Sequence, residues 1–364
     1  MVREWKGSVK IIGMKKKKVK LLKYTTILVI TFFLIELVSY IFLKFDSTEL
    51  FNIRNYIEKT NDKRYFTFKR NHSSEEINPY TKKNWSIISS NERLRITKYD
   101  NKITHYLSED NFEEKILFLG DSIPFGWGVN AEDSLPYIFK KYNKKLSVLN
   151  AALPSYSLAQ TVERYKKEFK ELKNLRFVYL QVYNHVPAYA LFGTKWETDY
   201  NWANFPEKLV ESYYLKKINL PFYGESYFYN FLRKKVYRII KKKKHKERLY
   251  DDRSDQKFIN YVNFNLEKIY NLIDNKKVSL IVSSITTPKF SDNTKSKSHL
   301  RALGIFNKNL KEFSLKNKGV FYFDISTKLD LESKKMFIDS CCHLSNMGAN
   351  LMAQELAKLI KKIL

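Results

Sequence analysis

Apolar and polar positions along this chain fall into two regimes. From residue 44 to about 110, charged and amide side chains dominate, and a hairpin is predicted around "NWSIISSNERLRITKYD". From Lys115 a regular alternation sets in. The continuously apolar runs Ile116–Leu119, Leu146–Leu149, Phe177–Val182, Val278–Val282 and Val320–Phe323 read as buried strands, because a half-solvated strand would alternate. Between them, Ser134–Tyr142, Leu158–Leu172, Asp255–Asp274 and His299–Asn317 read as helices. Ser345–Ile363 closes the chain, with Leu351, Leu356, Leu359 and Ile360 supporting an amphipathic helix. Strands alternating with helices predict a parallel sheet with helices on both faces. The expected organisation is a stalk and small cover over 44–110, followed by one α/β domain over 111–364.

One connection breaks this rhythm. An insert over 186–253 carries Tyr189, Trp196, Trp202, Tyr213, Phe222 and Phe228 among other aromatics. That richness argues against disorder. A substrate-side lid and a local mini-core are equally compatible with it.

Thr25–Leu43 reads "TTILVITFFLIELVSYIFL", with Glu36 its single carboxylate. Roughly 20 apolar or neutral residues suffice to cross a bilayer. Lys15, Lys16, Lys17, Lys18, Lys20 and Lys23 precede the run, so residues 1–24 are expected in the cytoplasm and everything after Lys44 outside. An uncleaved single-pass anchor over 25–43 is favoured over a signal peptide, because no Ala-x-Ala-like site follows. Met14 stands directly before the lysine block, and a start of translation there would still give a complete anchor.

Composition changes the picture in two places. The formal charge of +28 first suggests a nucleic-acid partner, but lysine is spread along the chain. The dense blocks Lys15–Lys18 and Lys241–Lys244 lie in no nucleic-acid module, so no nucleic acid is expected. Contact with anionic lipid or surface glycan fits the charge as well. Cys341 and Cys342 are adjacent and the only cysteines, which excludes a disulfide framework; both are read as structural. The six histidines lack ligand spacing, so no metal is expected.

Candidate chemistry begins at "KILFLGDSIPFGWGVN", Lys115–Asn130. A serine just past the C-terminal end of a buried parallel strand stands at the crevice where α/β folds hold ligands; its alternative is to cap the next helix. Other polar groups fall at later strand ends, "LNAALPSYS" and "LQVYNHV", and just before the last helix, "FIDSCCHLSNMG". The opening Gly-Asp-Ser with Phe125-Gly126-Trp127-Gly128, and the closing His343-Leu344-Ser345-x-x-Gly348, resemble the SGNH (GDSL-type) hydrolases, in particular bacterial members with an amino-terminal membrane anchor. The resemblance runs from about Ile116 to the carboxyl terminus.

It implies a flavodoxin-like three-layer α/β/α sandwich around a central parallel sheet, and chemistry without metal or cofactor. Ser122 matches the nucleophile, His343 its base, Asp339 the carboxylate that orients the base, and Asn184 an oxyanion-binding amide. Ser155 stands where the family has its oxyanion glycine. Three features depart from the family. Asp339 and His343 are separated by three residues instead of two, which makes Asp324 a reserve carboxylate. Ser155 carries a side chain, and His185 follows Asn184 where aspartate is common. The chemistry itself is coherent: a serine hydroxyl needs an adjacent base, a carboxylate fixes the tautomer of that base, and the intermediate needs donors for its negative oxygen.

The expectation is a membrane-anchored, outward-facing serine esterase that removes small acyl groups, acetyl foremost, through an acyl-Ser122 intermediate. Its partner would be an acylated glycan or lipid-linked substrate. An O-acyltransferase using the same residues, and a non-catalytic binding module on the same fold, remain the alternatives.

Overall fold

The computed structural model describes residues 23–39, 56–60, 62, 64, 66–98, 113–183, 252–273, 277–290 and 297–364. The chain divides into two units, Met1–Thr48 with Val210–Glu247, and Glu49–Leu209 with Arg248–Leu364. In the first, helix α1 spans 23–39, and its Leu28, Phe33, Leu34 and Leu37 are exposed. Among the described residues no helix is long and apolar enough to cross a membrane. Residues 40–43 of the expected span, the basic block before it and the start at Met14 lie outside the described residues, as do residues 186–251 of the insert expected over 186–253.

The second unit is built on an eight-stranded sheet. Strands β6 (Lys115–Gly120), β7 (Ser147–Asn150), β8 (Leu175–Gln181), β9 (Ser279–Ser283) and β10 (Val320–Phe323) run parallel in the order β10-β9-β8-β6-β7. Counted from β6, this is the 2-1-3-4-5 order of flavodoxin-like sheets, whose switch point lies between β6 and β8. Every residue of β6 is buried, as its unbroken apolar run requires. Helix α3 (Leu135–Tyr142) packs with α7 (Asn346–Ile363), while α5 (Asp252–Leu272) packs with α4 (Leu158–Arg164) and α6 (Lys297–Lys316). Right-handed crossovers put these two groups on opposite faces. Met352, Ala353, Leu356 and Ile360 bring one stripe of α7 onto the sheet, each completely buried.

The amino-proximal segment corrects one expectation: the sheet is mixed rather than all parallel, since residues 73–96 of the expected stalk and cover add strands to it. β3 (Ser73–Ile77), β4 (Asn84–Ser89) and β5 (Arg95–Ile96) continue the sheet beyond β7 with antiparallel pairing, Arg95 opposite Asn150 and Ile88 opposite Ile96. The predicted hairpin is the β4–β5 pair. Polarity hid these strands, because an antiparallel strand buries one face only. In β4, Trp85, Ile87 and Ser89 are buried and their neighbours are not. A further two-stranded piece, β1 (Ile57–Lys59) with β2 (Phe66–Phe68), carries Phe66 and Phe68 into a second core. There they meet Tyr56, Trp85, Phe125, Trp127 and Tyr156. Full burial of a side chain such as Phe125 contributes about 1.5–3 kcal/mol. This core lies under the loops that follow β6 and β7.

Candidate active site

β6 ends in Gly120 at φ 143, and a Cβ there would stand 1.8 Å from the Gln181 carbonyl oxygen. No other residue fits at this point of the β6–β8 pair. Asp121 then caps the short helix α2 (Ser122–Phe125): its Oδ1 accepts from the Ile123 amide at 3.2 Å. Its Oδ2 accepts from the Tyr183 amide at 2.6 Å, which ties the end of β8 to the serine. The Ser122 carbonyl accepts from the Gly126 and Trp127 amides at 3.2 and 3.0 Å, closing the turn. Ser122 thus opens a helix, but the capping side chain is that of Asp121.

Arg95 fixes the outer half of this turn from β5. It is completely buried, and its guanidinium donates to the carbonyls of Phe125, Gly126 (2.7 Å), Val129 (2.6 Å) and Ser86 (3.3 Å). Its Cζ also sits 4.4 Å from the Phe125 ring centre. Burial pulls its pKa down to about 10, against the opposing pull of Tyr137, Tyr56 and Glu132, so it stays charged at neutral pH. Asn150, at the end of β7, adds donation to the Pro124 and Phe125 carbonyls at 3.3 Å each.

The carboxyl-terminal loop brings the other groups. His343 Nε2 faces Ser122 Oγ at 2.9 Å, and Asp339 Oδ2 lies 2.5 Å from His343 Nδ1. With the Nδ1 proton placed on the carboxylate side, Nε2 is left to accept from the serine. The second Asp339 oxygen accepts three backbone amides, from Cys341 at 3.0 Å, Cys342 at 3.1 Å and His343 at 3.2 Å. These bonds absorb the additional residue between aspartate and histidine. Phe337 pairs with Leu344, and the Ile338 amide donates to the His343 carbonyl at 2.9 Å, which closes the loop as a narrow hairpin. Ser345 then caps α7 by accepting from the Gly348 amide. The Trp127 ring lies 4.5 Å from the imidazole, so the two loops buttress each other.

Charge follows from this geometry. Burial opposes a charged His343, but the charge and hydrogen bond of Asp339, with smaller contributions from Cys341 and Asp121, lift its pKa to about 9. Burial would raise Asp339, yet His343 and the backbone amides hold its carboxyl below the usual range. Asp324, the reserve carboxylate, is occupied elsewhere: it accepts from the Ser284 hydroxyl at 3.1 Å and the Ser326 hydroxyl at 2.6 Å.

Ser155 takes φ 69, a left-handed conformation that favours glycine. Its loop is drawn to β6 by the Leu153 amide, which donates to the Gly120 carbonyl at 3.0 Å. The amides of Ser122 and Ser155 donate to no described residue. Asn184 and His185 lie outside the described residues; Tyr183, directly before them, stands beside Asp121. A cavity of about 10 Å³ adjoins Ser122, lined by Ile123, Trp127, Leu135, Leu344 and Ala349 among others. Among the described residues no three His, Cys, Asp or Glu side chains are grouped to hold a metal. Arg95, Asn150 and the Trp127–His343 contact were not foreseen. Nothing local distinguishes Arg95 from the other 65 basic residues.

No family model matches the chain, and no curated protein is similar to it in sequence. Solved structures are similar to it in structure, at 10–14% identity. The chain is similar to GDSL-type hydrolases. A member of the lipolytic protein G-D-S-L family from Veillonella parvula is 14% identical, covering 68% of this chain and 99% of its own, with a TM-score of 0.43. A GDSL-like lipase from Bacteroides thetaiotaomicron is 13% identical over 73% of this chain and 98% of its own, with a TM-score of 0.41. Est24, a carbohydrate acetylesterase from Sinorhizobium meliloti, is 10% identical over 69% of this chain and 100% of its own, at a TM-score of 0.41.

Proposed function

We propose that the chain is a serine esterase of the SGNH type. The observation that carries this reading is the unbroken line from Ser122 Oγ through the imidazole of His343 to Asp339, at 2.9 and 2.5 Å. In the reaction, Ser122 Oγ attacks the ester carbonyl carbon while His343 Nε2 takes its proton. Asp339 steadies the imidazolium that forms. The negative oxygen of the tetrahedral intermediate is met by the Ser122 and Ser155 amides, each such donor contributing about 2.7–4 kcal/mol where measured. The Asn184 side chain is proposed as the third donor. Collapse breaks the ester C–O bond, and His343 returns the proton to the leaving alcohol. Water then attacks the acyl-serine with His343 again as base, which restores Ser122.

Acetyl is the proposed acyl group. The cavity of about 10 Å³ beside Ser122, room for about one water or a methyl group, supports a small acyl group. The alcohol portion is proposed to be a glycan or related surface molecule outside the membrane, with residues 25–43 as the anchor. The lysines before that run and the charge of +28 support an outward domain near anionic surfaces.

The test compares nitrophenyl acetate, butyrate and octanoate, with covalent labelling by a fluorophosphonate in parallel. Labelling at Ser122 and turnover falling with chain length support the reading. An unlabelled Ser122 in folded protein sinks the esterase; octanoate turned over faster than acetate sinks only the acetyl assignment. Acetyl transfer to a sugar acceptor in preference to water would replace the hydrolase by a transferase.

A further inference from the structure

We propose that Cys341 and Cys342 form a modification site: a vicinal thiol pair that a hydroperoxide closes to a disulfide, disarming the adjacent triad. Its functional half rests on the esterase reading above; its chemical half does not. The two sulfurs are 3.0 Å apart, and both cysteines lie between Asp339 and His343 in the carboxyl-terminal loop.

The two thiols are not equivalent. Cys342 is buried and Cys341 only partly so, which makes Cys341 the one a small oxidant reaches. Its thiolate is favoured by the hydrogen bond from Cys342 and further by His343 and the Tyr183 hydroxyl, against burial and the Asp339 charge. Burial pushes the Cys342 thiol the other way, and the neighbouring sulfur adds to it. An accessible, thiolate-prone cysteine beside a second thiol is the arrangement of an attacking and a resolving residue.

The chemistry balances with a hydroperoxide as the oxidant. The Cys341 thiolate attacks the peroxide, the O–O bond breaks, and a sulfenic acid and hydroxide (or alkoxide) result. The Cys342 sulfur then attacks the sulfenic sulfur. Its proton leaves with the hydroxyl as water, and the S–S bond forms. Two electrons pass from the thiol pair to the peroxide.

Closure must draw the sulfurs about 1 Å nearer, to a bond of roughly 2.05 Å. Consecutive Cα atoms about 3.8 Å apart fall short of the usual disulfide span, so the ring is strained and readily reduced. The strain falls on the peptide between the two residues. The Cys342 amide belongs to that peptide and the Cys341 amide to the one before it, and both donate to Asp339 Oδ1, so twisting the peptide turns the carboxylate away from His343 Nδ1. The same two residues serve the disulfide through their sulfurs and the triad through their backbone amides.

The full-length protein is treated with equimolar hydrogen peroxide, and the peptide containing both cysteines is examined by mass spectrometry alongside acetyl-ester turnover. We expect a loss of two hydrogens from that peptide and a fall in turnover on the order of tenfold or more, as a misaligned triad gives. Dithiothreitol should reverse both. Cys342→Ser should stop at a sulfenic acid that dimedone traps on Cys341. Cys341→Ser, measured against its own untreated rate, should lose sensitivity. Direct passage of Cys341 to sulfinic acid in the unaltered protein overturns the pairing. Disulfide formation with turnover unchanged overturns the effect on the triad. Should no ester be turned over, the mass arm still decides the thiol chemistry.

Discussion

Arg95→Met tests the claim that a strand outside the parallel core holds the serine turn. The guanidinium donates to the carbonyls of Phe125, Gly126 and Val129, with a weaker fourth bond to Ser86. A charged hydrogen bond contributes about 1.5–3 kcal/mol net, so three give about 4.5–9 kcal/mol, against about 3–5 kcal/mol for breaking a buried charge's partnership. The smaller figure is the better expectation, because removing arginine also removes the burden of keeping a charge out of water. Methionine fills part of the space between Phe125 and Trp85, so the loss is chiefly that of donors. Against a total stability of about 5–15 kcal/mol, the variant should fold but with a lowered urea midpoint, by at least about 1 M for a slope near 3 kcal/mol/M. Turnover should fall through kcat more than KM, since the loosened Gly126–Trp127 segment carries the ring packed on His343. Arg95→Lys, with a single ammonium instead of a fork, should recover only part of both. An Arg95→Met protein with the urea midpoint and kcat of the unaltered chain would refute the reasoning.

Ser122→Ala should lower kcat by at least about 10⁴ while circular dichroism stays unchanged, and a variant that still turns over freely would remove the nucleophile. The pKa of about 9 at His343 places the acid limb of kcat/KM well above the ordinary histidine value, because the base must be neutral to accept the proton. Asp339→Asn should move that limb downward and cut kcat by about 10⁴, whereas a limb that does not move would show that Asp339 leaves the imidazole untouched. The raised pKa also makes folding pH-dependent: its contribution, at most about 3 kcal/mol, is complete below pH 6.5 and lost as pH rises through about 9, so unfolding midpoints compared across that window should converge in Asp339→Asn. Ser155→Gly should keep turnover, because the amide remains, and should not destabilise despite the freer backbone, since φ 69 strains any side chain; a destabilised variant would show that the serine side chain has a partner.

The parallel core was legible because its strands are buried on both faces, and an unbroken run such as "ILFL" has few other readings. The Ser122 position was legible for a related reason, a short polar motif directly after such a run at the sheet edge, and His343 from the motif that opens the last helix. The antiparallel extension was not. β3 reads "SSEEI" and β5 spans two residues, so neither carries a periodic signal long enough to separate a strand from a loop. The Asp339 spacing looked like a defect in the sequence. It is resolved by three backbone amides on one carboxylate oxygen, and backbone donors leave no trace in side-chain identity. Ser155 looked like a second defect, yet its backbone keeps the conformation that glycine would take.

The aromatic core under the serine turn has a consequence for the chain as a heritable part. Phe125, Trp127 and Tyr156 come from the parallel core, while Tyr56, Phe66, Phe68 and Trp85 come from the segment before it. The smallest piece that can work independently therefore begins near Tyr56, not at β6. Recombination that joined a foreign leader directly to Lys115 would leave Phe125 and Trp127 facing water and Gly126 without its arginine. The leader segment and the serine turn must then be inherited together, and substitutions on either side of that seam should accumulate in step.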